Sequence, residues 1–595
     1  MSEVIRERLE NFRNVMKKYG IDAWIAPTND FHGSEYIGEH FKVRKYLTGF
    51  TGSVGTVTVT QKGAWLWVDG RYFVQAEKQL AGTEVHLFKS GQPNVPLLEE
   101  FLAQELKSGE TAGFDGRVLS ASEGKKLRSV LKENKINISS SRDIVDEAWE
   151  NRPAMEKTPA WFLTMDEAGE SRADKLERVR EEMVKQGADV HLVTSLDDIA
   201  WIYNLRGMDI ACSPVIQAYT IITMDGAVLF VQSGVLNEAQ RDVLENDRVF
   251  VRDYDDIVQV LEKLPKCTLL MDPEKVSDEL YYCLPEHVTK KEATDPSVLM
   301  KAVKNQQEIK QVRSAHLRDG VAMTRYMYWL KHVPETAHVT EMEAADHLET
   351  LRREQKGYLE PSFETISAYG KNAAMCHYIS TRETDTEIQK EGFYLVDAGG
   401  QYRAGTTDIT RTVVMGNVTE EQKLHYTLVL KGMIDLAKAR FHQGTNGQML
   451  DYLARGPLLE HGQDFNHGTG HGVGALLNVH EPPNFIHWRL PDHLKTVFQE
   501  GMITSDEPGV YVEGSHGIRI ENLILCVKDS QDGLLHFETL TLCPIDLSAV
   551  NMEYLDCEEK KWLDQYHEMV YEKIEAFLPE EEREWLKNVT SPIRD

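Results

Sequence analysis

The chain has 595 residues, of which 41% are hydrophobic and 27% charged, and 66 basic against 95 acidic residues give a net charge of −29. A single hydrophobic core does not grow to this length, so we expect a globular protein of roughly three or four domains. The acidic balance argues against a nucleic-acid partner, because phosphate binding needs clustered Lys and Arg. It mildly favours cationic ligands, such as the free ammonium end of a peptide.

The N-terminal segment from Met1 to Phe12 predicts a charged amphipathic helix and lacks the unbroken apolar core of a signal peptide. Nowhere do about 18 uncharged apolar residues run together, so we expect no membrane partner and no membrane-spanning helix. The seven cysteines are widely spaced and contain no CxxC pair. This usage predicts free thiols in a reducing compartment, and we therefore expect a cytoplasmic protein.

Two segments of the N-terminal half follow the same order of helix, strand and hairpin. Three pairs of sequences match in order along them: Gly20-Ile-Asp22 and Gly187-Ala-Asp189, Tyr46-Leu-Thr-Gly49 and Tyr203-Asn-Leu-Arg-Gly207, and Lys62-Gly-Ala-Trp-Leu-Trp-Val68 and Asp225-Gly-Ala-Val-Leu-Phe-Val231. Generic α/β units can agree by chance, but three ordered matches favour two copies of one α/β domain.

A boundary is predicted at Asp295-Pro296, because proline disfavours helix at the residue before it. Beyond it, apolar positions from Val303 to Val321 predict one long helix. The tail carries an aromatic and aliphatic stripe at helical spacing, formed by Trp562, Tyr566, Val570, Ile574 and Phe577. That stripe either packs on its own domain or forms a subunit contact, since exposed aromatic stripes tend to be covered.

The most informative stretch runs from Phe393 to Thr412, where an apolar run ends in Asp397 and turns on glycines. Asp408 arrives eleven positions later, at the start of a second β-prone run. This pattern predicts a hairpin that carries both aspartates inward, side by side. Two inward carboxylates repel each other unless a proton or a cation neutralises them.

Three later segments supply further ligand-type side chains: His471 in a glycine-rich run, Glu507 before Pro508-Gly509, and Glu521 after Arg519. The glycines at 468, 470, 472 and 474 make a helix improbable, so His467 and His471 are expected on a strand or loop. Each residue alone has an ordinary explanation, as a turn former, a strand end or a polar face.

Together the five candidates, Asp397, Asp408, His471, Glu507 and Glu521, form the ligand set of a carboxylate-bridged metal pair. Four carboxylates and a neutral imidazole balance two divalent cations, whereas burying them without metal would cost many kcal/mol of desolvation. Mostly oxygen ligands with one nitrogen suit Mn²⁺, with Zn²⁺ or Co²⁺ as alternatives. Two such cations can share a hydroxide and polarise the carbonyl that it attacks.

Four motifs occur in the order found in the pita-bread metallopeptidases: Asp408-Ile-Thr-Arg-Thr, His467-Gly-Thr-Gly-His471-Gly-Val-Gly, Asp506-Glu-Pro-Gly509 and Gly517-Ile-Arg-Ile-Glu-Asn522. The chain most resembles the three-domain cytosolic aminopeptidase P, or Xaa-Pro aminopeptidase, family. Leu47-Thr-Gly-Phe-Thr-Gly52 and Val68-Asp-Gly-Arg-Tyr-Phe73 are similar to that family's first domain, so the resemblance covers essentially the whole chain.

The resemblance implies an α/β (α+β) fold class, with two similar creatinase-like domains at 1-157 and 158-298. A pita-bread catalytic domain with a C-terminal helical extension would follow at 299-595. It also implies a homodimer.

The resemblance further implies a role for each site residue. Asp397 would bind one metal, His471 and Glu507 the other, and Asp408 and Glu521 both. His480 would bind the scissile carbonyl or the oxyanion, while His377 and His467 would line the proline side. Arg519 would orient a bridging carboxylate or the substrate backbone, with help from Tyr511, and Glu507 would carry the proton to the prolyl nitrogen.

The implied activity is removal of the first residue from peptides with proline second. Prolidase, restricted to dipeptides, is the nearest alternative, although prolidases carry a single N-terminal domain. Methionine aminopeptidase would leave nearly 300 residues of preceding domains unexplained. A metal-free binding or scaffold protein on the same fold remains an alternative of another class, although it would be expected to have lost ligands.

Overall fold

The computed structural model describes residues 2–140, 143–334, 336–491 and 494–593. The chain forms two compact units. One contains Met1–Leu163 with Glu170–Ser297, and the other contains Thr164–Gly169 with Val298–Asp595.

The first unit begins with a six-stranded mixed sheet. Its strands lie in the order Val85–Lys89, Ala64–Val68, Thr56–Thr60, Ala23–Pro27, Thr111–Phe114 and Asn137–Ser139. The accompanying helices are Ser2–Lys18, Val43–Thr48, Phe73–Leu80, Leu98–Glu105, Ala121–Glu133 and Val145–Ala148. The N-terminal helix buries Ile5, Leu9, Phe12 and Met16, three or four positions apart, in the apolar core. That spacing puts them on one helical face, as the sequence predicts.

A second six-stranded sheet in the same unit repeats the arrangement, in the order Val249–Asp253, Ala227–Val231, Ala218–Thr223, Val190–Val193, Thr268–Met271 and Thr289–Glu292. In both sheets the five strand pairings, taken in the order given, are parallel, antiparallel, antiparallel, parallel and parallel. Its helices are Arg172–Gln186, Leu196–Ile202, Glu238–Asn246, Ile257–Leu261 and Asp278–Tyr282.

The matched sequences of the two copies occupy matched positions. Asp22 accepts a hydrogen bond from the Thr111 backbone N–H at 2.8 Å, and Asp189 accepts one from Thr268 at 2.8 Å. Gly20 and Gly187 both follow the first helix of their copy, with φ values of 66° and 68°. Each therefore ends a helix in the left-handed conformation that glycine adopts most readily. The predicted duplication is confirmed.

The described residues of the second unit form four sheets. Two have three strands each, in the orders Tyr358–Pro361, Gly400–Tyr402, Gly405–Thr406 and Ile366–Tyr369, Phe393–Ala398, Ile409–Val414. A third sheet has six strands, in the order Arg440–Phe441, Leu535–Thr539, Asn522–Lys528, Ile503–Asp506, Gly470–Gly472 and Glu481–Ile486. The fourth sheet is the pair of strands Gly509–Val512 and His516–Arg519. The helices are Gln306–His332, Glu341–Arg353, Glu420–Ala437, Gly447–Leu459, Cys557–Ile574 and Glu580–Val589.

The prediction of one long helix through Val303 is wrong about where that helix begins. Pro296–Ala302 forms a separate helix, and the next one begins at Gln306. Asn305 is its N-cap and accepts hydrogen bonds from the backbone N–H groups of Gln307 and Glu308. A side chain that satisfies helix-starting N–H groups favours a new helix over continuation of the previous one.

The aromatic stripe of the tail packs on its own unit. Tyr566, Val570 and Ile574 are buried in an apolar cluster of that unit, and Trp562 packs against the same cluster. Phe577 follows the helix and is exposed. All seven cysteines are free thiols, as predicted. Among the helices of the described ranges, none combines the length and apolar character that a membrane crossing requires.

Candidate metal centre

Asp397 and Asp408 lie together at the end of a strand pair. The strand Phe393–Ala398 pairs antiparallel with Ile409–Val414, and Asp397 lies opposite Thr410. Asp408 directly precedes the second strand, and both aspartates are buried. The predicted pairing is confirmed, although the connection is longer than a tight turn and contains the short strands Gly400–Tyr402 and Gly405–Thr406.

His471 faces these carboxylates from the three-residue strand Gly470–Gly472, which confirms that its segment is not helical. Its Nδ1–H donates to the Gly472 carbonyl at 3.0 Å, so Nε2 is the ring nitrogen that faces the carboxylates. Nε2 lies 3.5 Å from Asp408 Oδ2 and 3.5 Å from Glu507 Oε1. A backbone hydrogen bond that fixes one nitrogen and frees the other is typical of metal-binding histidines.

Glu507 and Glu521 lie in the short connections that follow the strands Ile503–Asp506 and His516–Arg519. Ser505 Oγ donates to Glu507 Oε1 at 3.2 Å, and Thr410 Oγ1 donates to Glu521 Oε2 at 2.7 Å. One ligand atom each from Asp408, His471 and Glu521 lies within 4.8 Å of the others.

Two buried oxygens of the cluster, Asp397 Oδ1 and Glu521 Oε1, have no hydrogen-bond partner among the described residues. Buried carboxylate oxygens are normally paired or bound to a cation. The donor set therefore fits divalent metal ions.

The pKa values of the cluster reflect the same excess of negative charge. Burial raises the pKa of Asp397, Glu507 and Glu521, and the neighbouring carboxylates raise it further. Burial alone would lower the pKa of His471, but its hydrogen bond to Asp408 and the charge of Glu507 outweigh burial and raise it to about 9.

Arg519 links three groups beside the carboxylates. Its guanidinium donates to Asp397 Oδ2, to the Tyr511 hydroxyl at 2.7 Å and to Thr410 Oγ1 at 3.1 Å. The Tyr511 hydroxyl lies 2.8 Å from His467 Nε2, whose ring donates from Nδ1 to the Gly468 carbonyl at 2.7 Å. Burial and the charge of Arg519 lower the pKa of His467 to about 3, so its Nε2 accepts from Tyr511.

His480 and His377, the other two predicted histidines, lie in different segments. The His480 ring lies 4.3 Å from the His471 ring, at an interplanar angle of 87°. His377 is half-buried in the segment after the short helix Gly370–Ala374, which packs against His516–Arg519. Cys376, its neighbour in the chain, affects the pKa of Tyr511, so this segment reaches the Tyr511 side of the site.

Close backbone approach explains the glycine-rich run. A Cβ on Gly470 would lie 2.0 Å from the Ser505 carbonyl oxygen, and one on Gly472 would lie 2.2 Å from the Glu481 carbonyl oxygen. The strand that carries His471 therefore fits between its neighbours because it has no side chains at these positions.

Sequence reasoning missed the residues that hold the ligands. Thr410 contacts both Glu521 and Arg519, and its position two residues after Asp408 in a strand was an available signal. Arg411 is fully buried and donates to the Glu521 carbonyl at 2.7 Å and to Asn522 Oδ1 at 2.9 Å. Lys304 forms a buried ion pair with Glu481, for which the sequence contains no local signal.

Four segments of the chain match known protein families. Residues 310–528 match metallopeptidase family M24, and residues 533–593 match the C-terminal region of peptidase M24. Residues 8–148 and 151–308 each match a creatinase/prolidase N-terminal domain.

Similar proteins cover the chain from end to end. A probable Xaa-Pro aminopeptidase P of Laccaria bicolor is 39% identical over 99% of this chain and 93% of its own length. The crystal structure of a cytosolic X-prolyl aminopeptidase with a di-nuclear active site from Caenorhabditis elegans is 33% identical. It covers 99% of this chain and 100% of its own, with a TM-score of 0.94.

A prolidase structure from Pyrococcus horikoshii is 27% identical and has a TM-score of 0.51, and it covers only 63% of this chain. The shorter prolidase thus leaves more than a third of the chain unmatched, whereas the aminopeptidase P relatives match both N-terminal copies and the catalytic domain. The chain belongs to the Xaa-Pro aminopeptidase P family, within metallopeptidase family M24.

Proposed function

We propose that this chain removes the N-terminal residue from peptides whose second residue is proline, with two divalent cations held by the five clustered side chains. The observation that carries the proposal is the convergence of Asp397, Asp408, His471, Glu507 and Glu521, with buried oxygens left unpaired. Family membership over the whole chain supports it.

Asp397 would hold one cation, His471 and Glu507 would hold the other, and Asp408 and Glu521 would contribute to both. The charge of four carboxylates balances that of two divalent ions, and mostly oxygen ligands with one nitrogen favour Mn²⁺ over Zn²⁺ or Co²⁺. When bound, the pair would supply a nucleophile by lowering the pKa of water and would polarise the scissile carbonyl.

The side chains around the carboxylates then position the peptide and move protons. The substrate's free amine binds beside Asp397, which fixes cleavage after the first residue. Glu507 takes the proton of the nucleophile and passes it to the prolyl nitrogen, which is a poor leaving group as an anion. His480, beside His471, donates a hydrogen bond to the oxygen on which negative charge develops.

Arg519, Tyr511 and His467 form the wall next to Asp397. The Arg519 guanidinium donates hydrogen bonds to the Asp397 carboxylate and to the Tyr511 hydroxyl. His467 and His377 line the side that receives proline. Because a prolyl amide has no N–H to recognise, selection depends on the shape of this wall.

We also propose a cytoplasmic homodimer with domain bounds at 1-157, 158-298 and 299-595. The free thiols and the cytosolic relative support the compartment. Two sheets of one topology and a helix that begins at Pro296 support the bounds.

The decisive experiment compares Arg-Pro-Pro with the dipeptide Arg-Pro, using enzyme reconstituted with Mn²⁺. We expect release of arginine from the tripeptide, and no release by an Asp408→Ala variant under the same conditions. Cleavage restricted to the dipeptide would favour prolidase instead. Metal content below one divalent ion per chain after reconstitution would favour a metal-free binding protein on this fold.

A further inference from the structure

A cavity of about 410 Å³ lies beside the first turn of the helix Glu420–Ala437, and none of the five proposed metal ligands lines it. We call it the His425 cavity. Its polar lining includes Glu420, Glu421, His425, His461, Asn551 and Tyr554. The volume is in the range of small-molecule sites and is far larger than a single ion needs.

His425 is nine-tenths buried and presents a ring nitrogen without a partner. Its side chain is only 3% exposed, and its Nδ1 lies 3.0 Å from His516 Nε2. Among the described residues, Nε2 of His425 has no hydrogen-bond partner, and the ring lines the cavity. Burial lowers the pKa of both rings, to about 4 for His516, so both are neutral at pH 7.

The hydrogen-bonded histidine pair has two neutral arrangements. Where Ser515 Oγ accepts from His516 Nδ1 at 2.8 Å, His516 Nε2 accepts from His425 Nδ1, and a lone pair remains at His425 Nε2. A ligand that donates hydrogen bonds selects this arrangement. The cavity therefore offers an imidazole acceptor to a donor.

His461 offers a second imidazole acceptor, on an exposed side chain. Its Nδ1 donates to the Pro457 carbonyl at 3.1 Å, which leaves the lone pair at Nε2. Glu421 adds a negative charge that has no ion-pair partner in the described part of the chain. The Tyr554 ring, 5.9 Å from the His461 ring, provides an aromatic wall. Acceptors, a carboxylate and an aromatic face are the groups that bind an organic cation.

We propose that the His425 cavity binds a small organic cation that carries a guanidinium or ammonium group. A guanidinium has five N–H donors in a fixed fork, so it can reach acceptors that are spread apart. A single metal ion needs converging ligand atoms. Within the described ranges, only Asp408, His471 and Glu521 bring three such atoms within 4.8 Å of one another, and none of them lines this cavity.

The test is isothermal titration of the metal-loaded enzyme with N-acetyl-L-argininamide, whose blocked amine prevents it from acting as an N-terminal substrate. We expect saturable binding of one molecule per chain, and at least tenfold weaker binding of the uncharged N-acetyl-L-citrullinamide. Acetyl-Gly-Arg-Gly-amide distinguishes the source of the cation. Tighter binding than argininamide indicates a basic side chain of a polypeptide, whereas equal affinity indicates a free small molecule.

Two variants locate the site. Glu421→Gln and His461→Gln should each weaken argininamide binding at least tenfold. Glu558→Gln, which removes an exposed acid from the first turn of another helix, should leave binding unchanged. Absent binding, equal binding of the neutral analogue, or equal binding by the cavity variants would overturn the proposal. Binding of a further Zn²⁺ ion, beyond those of the metal centre, that is lost in Glu421→Gln would also overturn the proposal. These readouts do not depend on peptidase activity, so they also stand if the proposed function fails.

Discussion

Arg519 and Asp397 lie 122 positions apart in the sequence and are joined by a hydrogen bond from Nη2 to the carboxylate Oδ2. The same guanidinium donates to Tyr511 and to Thr410, and Thr410 in turn donates to Glu521. A planar fork thus fixes two of the proposed ligand carboxylates relative to the phenol that contacts His467. Lysine cannot reproduce that geometry, because its ammonium is a point donor on a flexible chain.

We therefore expect Arg519→Lys to lower kcat by roughly 100-fold, the scale seen when one preorganised donor is lost. Arg519→Gln, which also removes the charge, should be at least as impaired. Steady-state kinetics on an Xaa-Pro-Yaa peptide give kcat and KM separately, and metal analysis checks that both variants still bind the cations. A fully active Arg519→Lys variant would contradict the positioning role.

The buried ion pair of Lys304 and Glu481 is expected to stabilise the segment that carries His480. Both side chains are 1% exposed, and Lys304 Nζ also donates to the Lys301 carbonyl at 2.8 Å. Glu481 follows His480 and pairs with Gly472, which follows His471. Glu481→Gln would leave the ammonium buried without its anion, at a cost of about 3–5 kcal/mol.

A double-mutant cycle tests this pair. Thermal unfolding and kcat are measured for Glu481→Gln, for Lys304→Met and for the double variant. The double variant should recover much of the lost stability, because no uncompensated charge remains. Additive losses in the double variant would show that the two side chains act independently.

His567 should make the second unit sensitive to acid. It is 1% exposed, and its Nε2 accepts from the Ile545 backbone N–H at 3.1 Å. Burial, and secondarily the charge of Arg411, lower the pKa of His567 from 6.5 to about 4. The unfolded chain then binds this proton first, so stability is lost as the pH falls from about 6.5 towards 4.

At pH 5 the loss from His567 amounts to about 2 kcal/mol, at 1.36 kcal/mol per pH unit. We expect the thermal midpoint to fall less between pH 7 and pH 5 in a His567→Gln variant, in which the amide oxygen can still accept from Ile545. His332→Gln, at an exposed histidine, is the matched control, and its thermal midpoint should fall as much as that of the unmodified chain. Equal acid sensitivity in all three proteins would exclude this role for His567.

Local pattern was enough to predict the parts of the structure that depend on strand period and turns. The Asp397 strand and its partner were predictable because apolar runs end in a turn, and the duplication because Gly20 and Gly187 open matching segments. The helix break before Gln306 was missed, because the apolar period continues while Asn305 caps a new helix.

Contacts between distant segments could not be predicted in the same way. Lys304 and Glu481 are 177 positions apart, and His425 and His516 are 91 positions apart. Such pairs depend on how strands and helices pack, which neither periodicity nor composition records. The supporting hydrogen bonds of Arg411 could not be predicted for the same reason, since its partners come from three later segments. The roles of the individual site residues stay predictions until variants are measured.

Gly470 provides a test of how closely the backbone must pack for His471 to face the carboxylates. A Cβ at this position would lie 2.0 Å from the Ser505 carbonyl oxygen and 3.4 Å from Thr504 Cγ2. Alanine would force the strands Gly470–Gly472 and Ile503–Asp506 apart, at an overpacking cost of about 1–3 kcal/mol. His471 would then move away from Asp408 and Glu507, from which its Nε2 now lies 3.5 Å.

We expect Gly470→Ala to bind divalent metal more weakly and to lose at least about 100-fold in kcat, because ångström-scale misplacement can cost that much. Gly468→Ala is the matched control in the same run, since the nearest atom to its Cβ would be 3.5 Å away. Metal titration, kcat and thermal unfolding are compared for the two variants. If Gly470→Ala behaves like Gly468→Ala in all three, the close approach of these strands does not position His471.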